Sequence, residues 1–298
     1  MNSRQRVLAA IHHVEPDYLP VDLGATPSSG ISAIAYDNLL PHLPLKDRRN
    51  WVYDVVQQVA QPSAEVLDHF RIDTLDLGRT FNTQDSDWYD YTLPNGSTAQ
   101  QPTWFRPRKQ EDGSSLAYKG EEAIAVMPAT GISYDQVVYP FLDGYPERYD
   151  SNLDEAMGRI HWAALAHSPW DHAGEPDFWE RLRTNALELR LTSNRLIVLS
   201  AGCNLFEWGT FLRRIDNFLM DLKRAPAEVE RFLDALMVRH MASLEKICQA
   251  VGDVVDIIRL GDDLGMNTGP LMAPETYRKL FKPRHTILCN YIKTHSSM

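Results

Sequence analysis

Apolar residues recur along this chain with two different spacings, and the change from one to the other marks out its elements. Val7, Leu8 and Ile11 follow Ser3 at helical spacing, so the sequence predicts a short helix capped by Ser3 and ended before Pro16 and Pro20. Residues 20–24, Pro-Val-Asp-Leu-Gly, form a brief apolar run that stops at a glycine and predict a first strand. Ile31, Ile34, Ala35 and Leu39 predict a helix after it. The pattern repeats with a helix over 64–70, a second strand over 73–78, a third over 195–202 and a fourth over 254–260. Between the third and fourth, Phe211, Ile215, Phe218, Leu219 and Leu222 predict one helix up to Pro226, and 227–251 a long amphipathic one. Further helices are expected after Asn152, over 176–191, and from Pro274 toward His295.

The texture differs over 86–140. Tyr89, Tyr91 and Leu93 alternate with polar residues, and Asn95-Gly96 and Asp112-Gly113 mark turns, which predicts a β-hairpin insertion within a single domain spanning 1–298. Outside it, strands with continuous apolar runs alternate with helices, the pattern of a parallel α/β sheet buried on both faces. No Gly-x-Gly-x-x-Gly or Gly-Lys-Ser/Thr turn is present, which removes the common nucleotide-binding readings of such a sheet.

Composition narrows the function. The 298 residues are 44% hydrophobic with a formal charge of −10, enough for a substantial core and the wrong sign for a nucleic-acid surface. No run resembles a signal peptide or membrane span. Cys203, Cys248 and Cys289 are odd in number and widely spaced, which fits reduced thiols. A cytoplasmic protein acting on a small molecule, with no nucleic-acid or membrane partner, is the expectation.

Residues 261–284, running Gly-Asp-Asp-Leu-Gly-Met-Asn-Thr-Gly-Pro and on to Lys-Pro-Arg, resemble the central motif of the uroporphyrinogen-decarboxylase family. Segments 4–11 with 20–22, 69–74, and 206–208 with 217–222 are similar to the same family in the same order. The resemblance implies an eight-stranded (β/α) TIM barrel, of which about the first half of the strands plus the insertion would lie in this chain. A half barrel leaves open sheet edges, so truncation and self-association into a homo-oligomer are both expected.

Porphyrinogen decarboxylases meet a many-carboxylate substrate with arginines after the first strand. Residues 23–30 here contain none, and the loop resembles the methyltransferase-like branch instead. That likeness implies a methyltransferase or demethylase component moving a methyl group between a methylated small molecule and a corrinoid or thiol acceptor, with zinc and a corrinoid protein as the family's cofactor and partner. The alternatives are decarboxylation of a porphyrinogen, and a catalytically incomplete fragment or interaction protein. The family's zinc ligands would lie beyond Met298, so no metal site is expected in this chain.

Asp262 and Asp263 follow the fourth strand and Glu207 the third, at the ends where barrel loops build active sites. These are the candidate catalytic carboxylates, able to orient substrate or carry a proton. Asp22, Asp76, Trp208, Cys203 and Asn204 are the candidate substrate-binding residues. Each has a plainer alternative: strand-end aspartates satisfy loop amides, a glutamate suits a helix N-terminus, and a lone cysteine is commonly core. His285 and Cys289, four apart on one helix, read as packing rather than as metal ligands. Tyr36 and Tyr277 could stack on a flat ligand, but such aromatics more commonly fill cores.

Overall fold

A computed structural model describes residues 1–298. The chain gathers into two compact units. The first comprises Met1–Asp135, Leu165–Ser200 and Val254–Ile258, and the second Gln136–Ala164, Ala201–Asp253 and Arg259–Met298.

A three-stranded sheet has the order Ile257–Leu260, Leu196–Gly202, Thr74–Asp76, and its residues 74–76, 196–200 and 257–258 belong to the first unit. Leu196, Ile197 and Val198 pair in parallel with Thr74, Leu75 and Asp76. Leu196 to Ser200 are all buried, as the middle strand of a sheet covered on both faces must be. Helix Phe178–Thr192 buries Phe178, Leu182 and Ala186 at helical spacing.

Residues 20–24, expected as a first strand, form none. Pro20 has no N–H to give a ladder, and the chain turns at once through Gly24, whose φ of +78° suits glycine. What remains is one exchange with Asp73. Val21 accepts from the Asp73 N–H at 2.8 Å, and its own N–H goes to the Asp73 carboxylate at 3.0 Å. The second strand is shorter than expected because Asp76 accepts from Gly78 N–H and starts the 3-10 turn Leu77–Thr80. The fourth begins only at Ile257. There Asp256 substitutes its carboxylate for a strand carbonyl, taking the Ile197 N–H at 2.9 Å while Arg4 pairs with its other oxygen at 2.6 Å.

The first unit also holds a five-stranded sheet, ordered Ile31–Ser32, Val59–Gln61, Trp51–Asp54, Thr98–Pro102, Trp88–Thr92. Its 88–102 hairpin turns at Gly96 (φ +86°), while the strands Trp51–Asp54 and Val59–Gln61 were not foreseen. Helix Ala33–Leu39, capped by Ser32, packs the fully buried Tyr36 into the core of this sheet with Val52, Ala60 and Ala99. Its hydroxyl accepts from Ser63 N–H at 2.9 Å, so Tyr36 is a core residue. A separate antiparallel sheet joins Arg108–Lys109, Ser115–Lys119 and Glu122–Met127.

The second unit is mainly helical: Phe206–Arg213, Ile215–Arg224, Pro226–Val251, Pro274–Leu280 and Lys282–His295. Pro226 sits at the start of the long helix, where its missing N–H costs nothing. That helix buries Val229, Phe232, Leu233, Leu236, His240 and Leu244 along one stripe. Phe218 meets Phe232 edge-on at 6.2 Å, and Phe206 bridges Phe218 at 5.7 Å and Phe281 at 5.9 Å.

The class is therefore α/β with several sheets, and none of them closes into a barrel. No helix is long and apolar enough to cross a membrane.

Candidate functional site

In the second unit the chain leaves strand Leu196–Gly202 through two residues of positive φ, Gly202 at 68° and Cys203 at 55°. Such backbone is uncommon for a residue with a Cβ, and it swings Asn204 back over Gly261. A Cβ on Gly261 would lie within 2.2 Å of the Asn204 amide nitrogen, so this glycine is required by close approach. The Asn204 carbonyl accepts from His240 Nε2 at 2.8 Å, and its side-chain amide donates to Glu207 Oε2.

Helix Phe206–Arg213 starts directly after this turn, and its first amides converge on one carboxylate. Asp262 Oδ2 accepts from Leu205 N–H at 3.0 Å, and Oδ1 from Phe206 and Glu207 N–H at 2.9 and 3.0 Å. A fourth bond at 2.9 Å joins Oδ2 to His285 Nε2. The Asp262 side chain is 4% exposed. The amide-satisfying role open to a strand-end aspartate is thus the one Asp262 takes, and the amides are those at the start of this helix. Asp263, by contrast, is exposed.

Burial pushes the Glu207 carboxyl above its ordinary range, against the Asn204 bond that pulls it down; the nearby charge of Asp262 raises it further and Arg259 lowers it. Burial also pushes the Cys203 thiol up to about 12, so this cysteine stays protonated near neutral pH and is no thiolate nucleophile. Trp208 packs edge-on against Phe211 at 5.8 Å. His240 is pushed down by burial and sits as a neutral partner of Asn204.

Asp22 and Asp76 belong to the first unit. Asp22 accepts from Thr74 Oγ1 at 2.6 Å and Ala25 N–H at 3.2 Å, the loop-satisfying role that strand-end aspartates commonly take. Asp76 is buried, and desolvation lifts it to about 6, opposed by His167, the Gly78 N–H and Arg79 and aided by the charge of Asp22. The buried Tyr53 hydroxyl finds no partner, and the same is true of the Ser200 hydroxyl.

Of the sequence candidates, Glu207, Asp262, Asn204 and Cys203 thus share one strand-end constellation, while Asp22 and Asp76 share another. His285 and His240 belong to the first of these and were not foreseen as parts of it. The separations of 23 residues from His285 to Asp262 and 36 from His240 to Asn204 leave no local signature. The zinc implied by the resemblance finds no fit here. His285 has its Nε2 engaged by Asp262, Cys289 is exposed, and no three His, Cys, Asp or Glu side chains are grouped as a metal would need.

No family model matches the chain, and no curated protein matches it either. A solved structure, a methyltransferase from Methanosarcina mazei, is similar over 98% of this chain and 67% of its own, with a TM-score of 0.47 and 12% identity. A likeness that distant carries no weight for the reaction.

Proposed function

We propose that this chain is a methyltransferase-like member of the uroporphyrinogen-decarboxylase family, with a partial TIM-barrel ancestry. In this reading it moves a methyl group from a methylated small molecule to a corrinoid or thiol acceptor. The reaction class comes from the resemblance of residues 261–284 and from the lack of arginine in the 23–30 loop. The observation that carries the chemical role is Glu207: a carboxyl raised by burial, held by Asn204 at the head of a helix whose first amides are fixed on Asp262.

A methyl group leaves its donor more easily when the departing oxygen or nitrogen gains a proton. A carboxyl that stays protonated above the usual range is suited to deliver it. Asn204 aims the Glu207 carboxyl, and Asp262 fixes the start of its helix. Trp208 remains a proposed substrate contact and Asp263 a proposed catalytic carboxylate in this reading. The chain's own cysteine at the strand end, Cys203, is too poor an acid to serve as the methyl acceptor, which must come from outside.

The test supplies the purified chain with a panel of deuteromethyl amines and aryl ethers, and with a small thiol, or free cobalamin held in its Co(I) state by an added chemical reductant, as acceptor. Label moving onto the acceptor is read by mass spectrometry. Transfer above background, reduced by roughly a hundred-fold or more in Glu207→Gln, supports the proposal. No transfer with any pair, or equal transfer in the variant, overturns it.

A further inference from the structure

We propose that Tyr277, His285 and Asp262 form a proton relay whose open end is the Tyr277 hydroxyl. Tyr277 lies on helix Pro274–Leu280 and His285 on Lys282–His295. His285 Nε2 is 2.9 Å from Asp262 Oδ2, and its Nδ1 is 3.3 Å from the Tyr277 oxygen. The two rings are tilted by 36° with centroids 5.8 Å apart.

The direction of the relay follows from Asp262. That carboxylate already accepts three backbone N–H groups, so it faces His285 as an acceptor and the Nε2 carries the hydrogen. In the neutral ring the other nitrogen then holds a lone pair. The hydrogen between Nδ1 and Tyr277 is therefore the phenol's own. A buried carboxylate fixes the tautomer of an imidazole, and the imidazole draws on a hydroxyl, which is the arrangement that activates nucleophilic oxygens in general. Asp262 and His285 are positioning residues, and Tyr277, half-buried, presents the reactive atom.

The proton steps balance without a metal ion. When a ligand gives its acidic hydrogen to the Tyr277 oxygen, the phenol's proton passes to His285 Nδ1, leaving an ionised ligand and an imidazolium facing Asp262. A thiol is the ligand class this suits best, because its acidity lies within reach of an imidazole. That choice of ligand rests on the methyl-transfer reading; the relay itself does not.

An aryl sulfonyl fluoride tests the relay alone. The Tyr277 oxygen forms an S–O bond, the S–F bond breaks, fluoride leaves, and the phenol proton goes to His285. Peptide mass spectrometry follows each tyrosine in the same sample, with the exposed Tyr18 as internal reference. Tyr277 is expected to react about ten-fold or more faster than Tyr18. Its rate should level off at a pH where the Tyr18 rate is still climbing. His285→Gln should bring Tyr277 down to the reference rate while Tyr18 is unchanged, whereas unfolding would raise all tyrosines together. The wild-type pH profile needs no variant and decides the matter if His285→Gln fails to fold. A Tyr277 rate that follows Tyr18 across pH, or a ratio unchanged in a folded His285→Gln, overturns the relay whatever the outcome for methyl transfer.

Discussion

Arg6 Nη1 lies 2.6 Å from Asp73 Oδ1, with Asp73 wholly buried and Arg6 4% exposed. The same guanidinium reaches Asp17 at 2.7 Å, and the second Asp73 oxygen holds the Val21 N–H. The pair ties the first helix to the 20–24 segment and to the start of strand Thr74–Asp76. Removing one partner of a buried pair leaves the other charge without compensation. Arg6→Met is therefore expected to destabilise the fold by about 3–5 kcal/mol in urea melts. The double variant Arg6→Met/Asp73→Asn should cost clearly less than the two single losses added. Additive losses would mean that the pair does not act as a unit.

Asp76 predicts a pH dependence of defined sign. Its carboxyl stands at about 6 in the folded chain against an ordinary value of 3.8, chiefly through desolvation. The folded state therefore holds this proton more tightly than the unfolded state. The associated stability is fully present below pH 3.8 and is lost as pH rises through about 6. Asp76→Asn keeps an acceptor for Gly78 N–H and carries no charge to bury, so it should be the more stable protein above that range, by about 1–3 kcal/mol. Melts at pH 5 and pH 8 measure it. A variant less stable than wild type at pH 8 would contradict this account.

The sequence showed the fold where apolar runs were long enough to dominate. Leu196–Gly202 and the stripe from Val229 to Leu244 were legible because every position of a central strand, or every third or fourth of a helix, must be apolar. Trp51–Asp54 and Val59–Gln61 were not, because each is only three or four residues long and the pair flanks the polar Asp54, Gln57 and Gln58. The 20–24 segment misled because composition there matches a strand, while Pro20, Gly24 and the Asp73 side chain decide the backbone. At the site, Glu207 and Asp262 were visible as strand-end carboxylates. Their neighbours His285 and His240 come from distant helices, and only packing brings them together.

Gly209 lies under the Phe218 ring, where a Cβ would meet ring carbons at 2.1 to 2.4 Å. Phe218 is fully buried against Phe206 and Phe232, so the ring has nowhere to retreat. Gly209→Ala normally favours a helix, but overpacking here should outweigh that and destabilise by about 1–3 kcal/mol. Denaturant melts test it, and Gly209→Ala with Phe218→Leu should recover part of the loss by making room. A neutral or stabilising Gly209→Ala would show that the two helices part easily.

Asp262 and Glu207 should respond in opposite ways, although the sequence marks both as candidate catalytic carboxylates at strand ends. Asp262 holds three backbone amides and the His285 ring, with its side chain buried. Asp262→Ala strands those donors, and losing a helix cap together with buried hydrogen bonds costs about 1–3 kcal/mol. Asp262→Asn retains the oxygen that serves Phe206 and Glu207 but turns an NH2 toward Leu205 and His285, so its cost should fall between those of wild type and alanine. Glu207 makes one side-chain bond, to Asn204, and burial raises its carboxyl. Since the folded form binds that proton more tightly, the stability linked to Glu207 is present at acid pH and declines as pH rises through its raised value. Glu207→Gln can still accept the Asn204 amide hydrogen and cannot ionise, so its melting temperature relative to wild type should rise between pH 4 and pH 8. Parallel thermal melts of the three variants at both pH values make the comparison. If Asp262→Ala melted like wild type, the carboxylate would not be fixing the helix start; if Glu207→Gln gained nothing relative to wild type between pH 4 and pH 8, the raised carboxyl on which the proposed acid role depends would not exist.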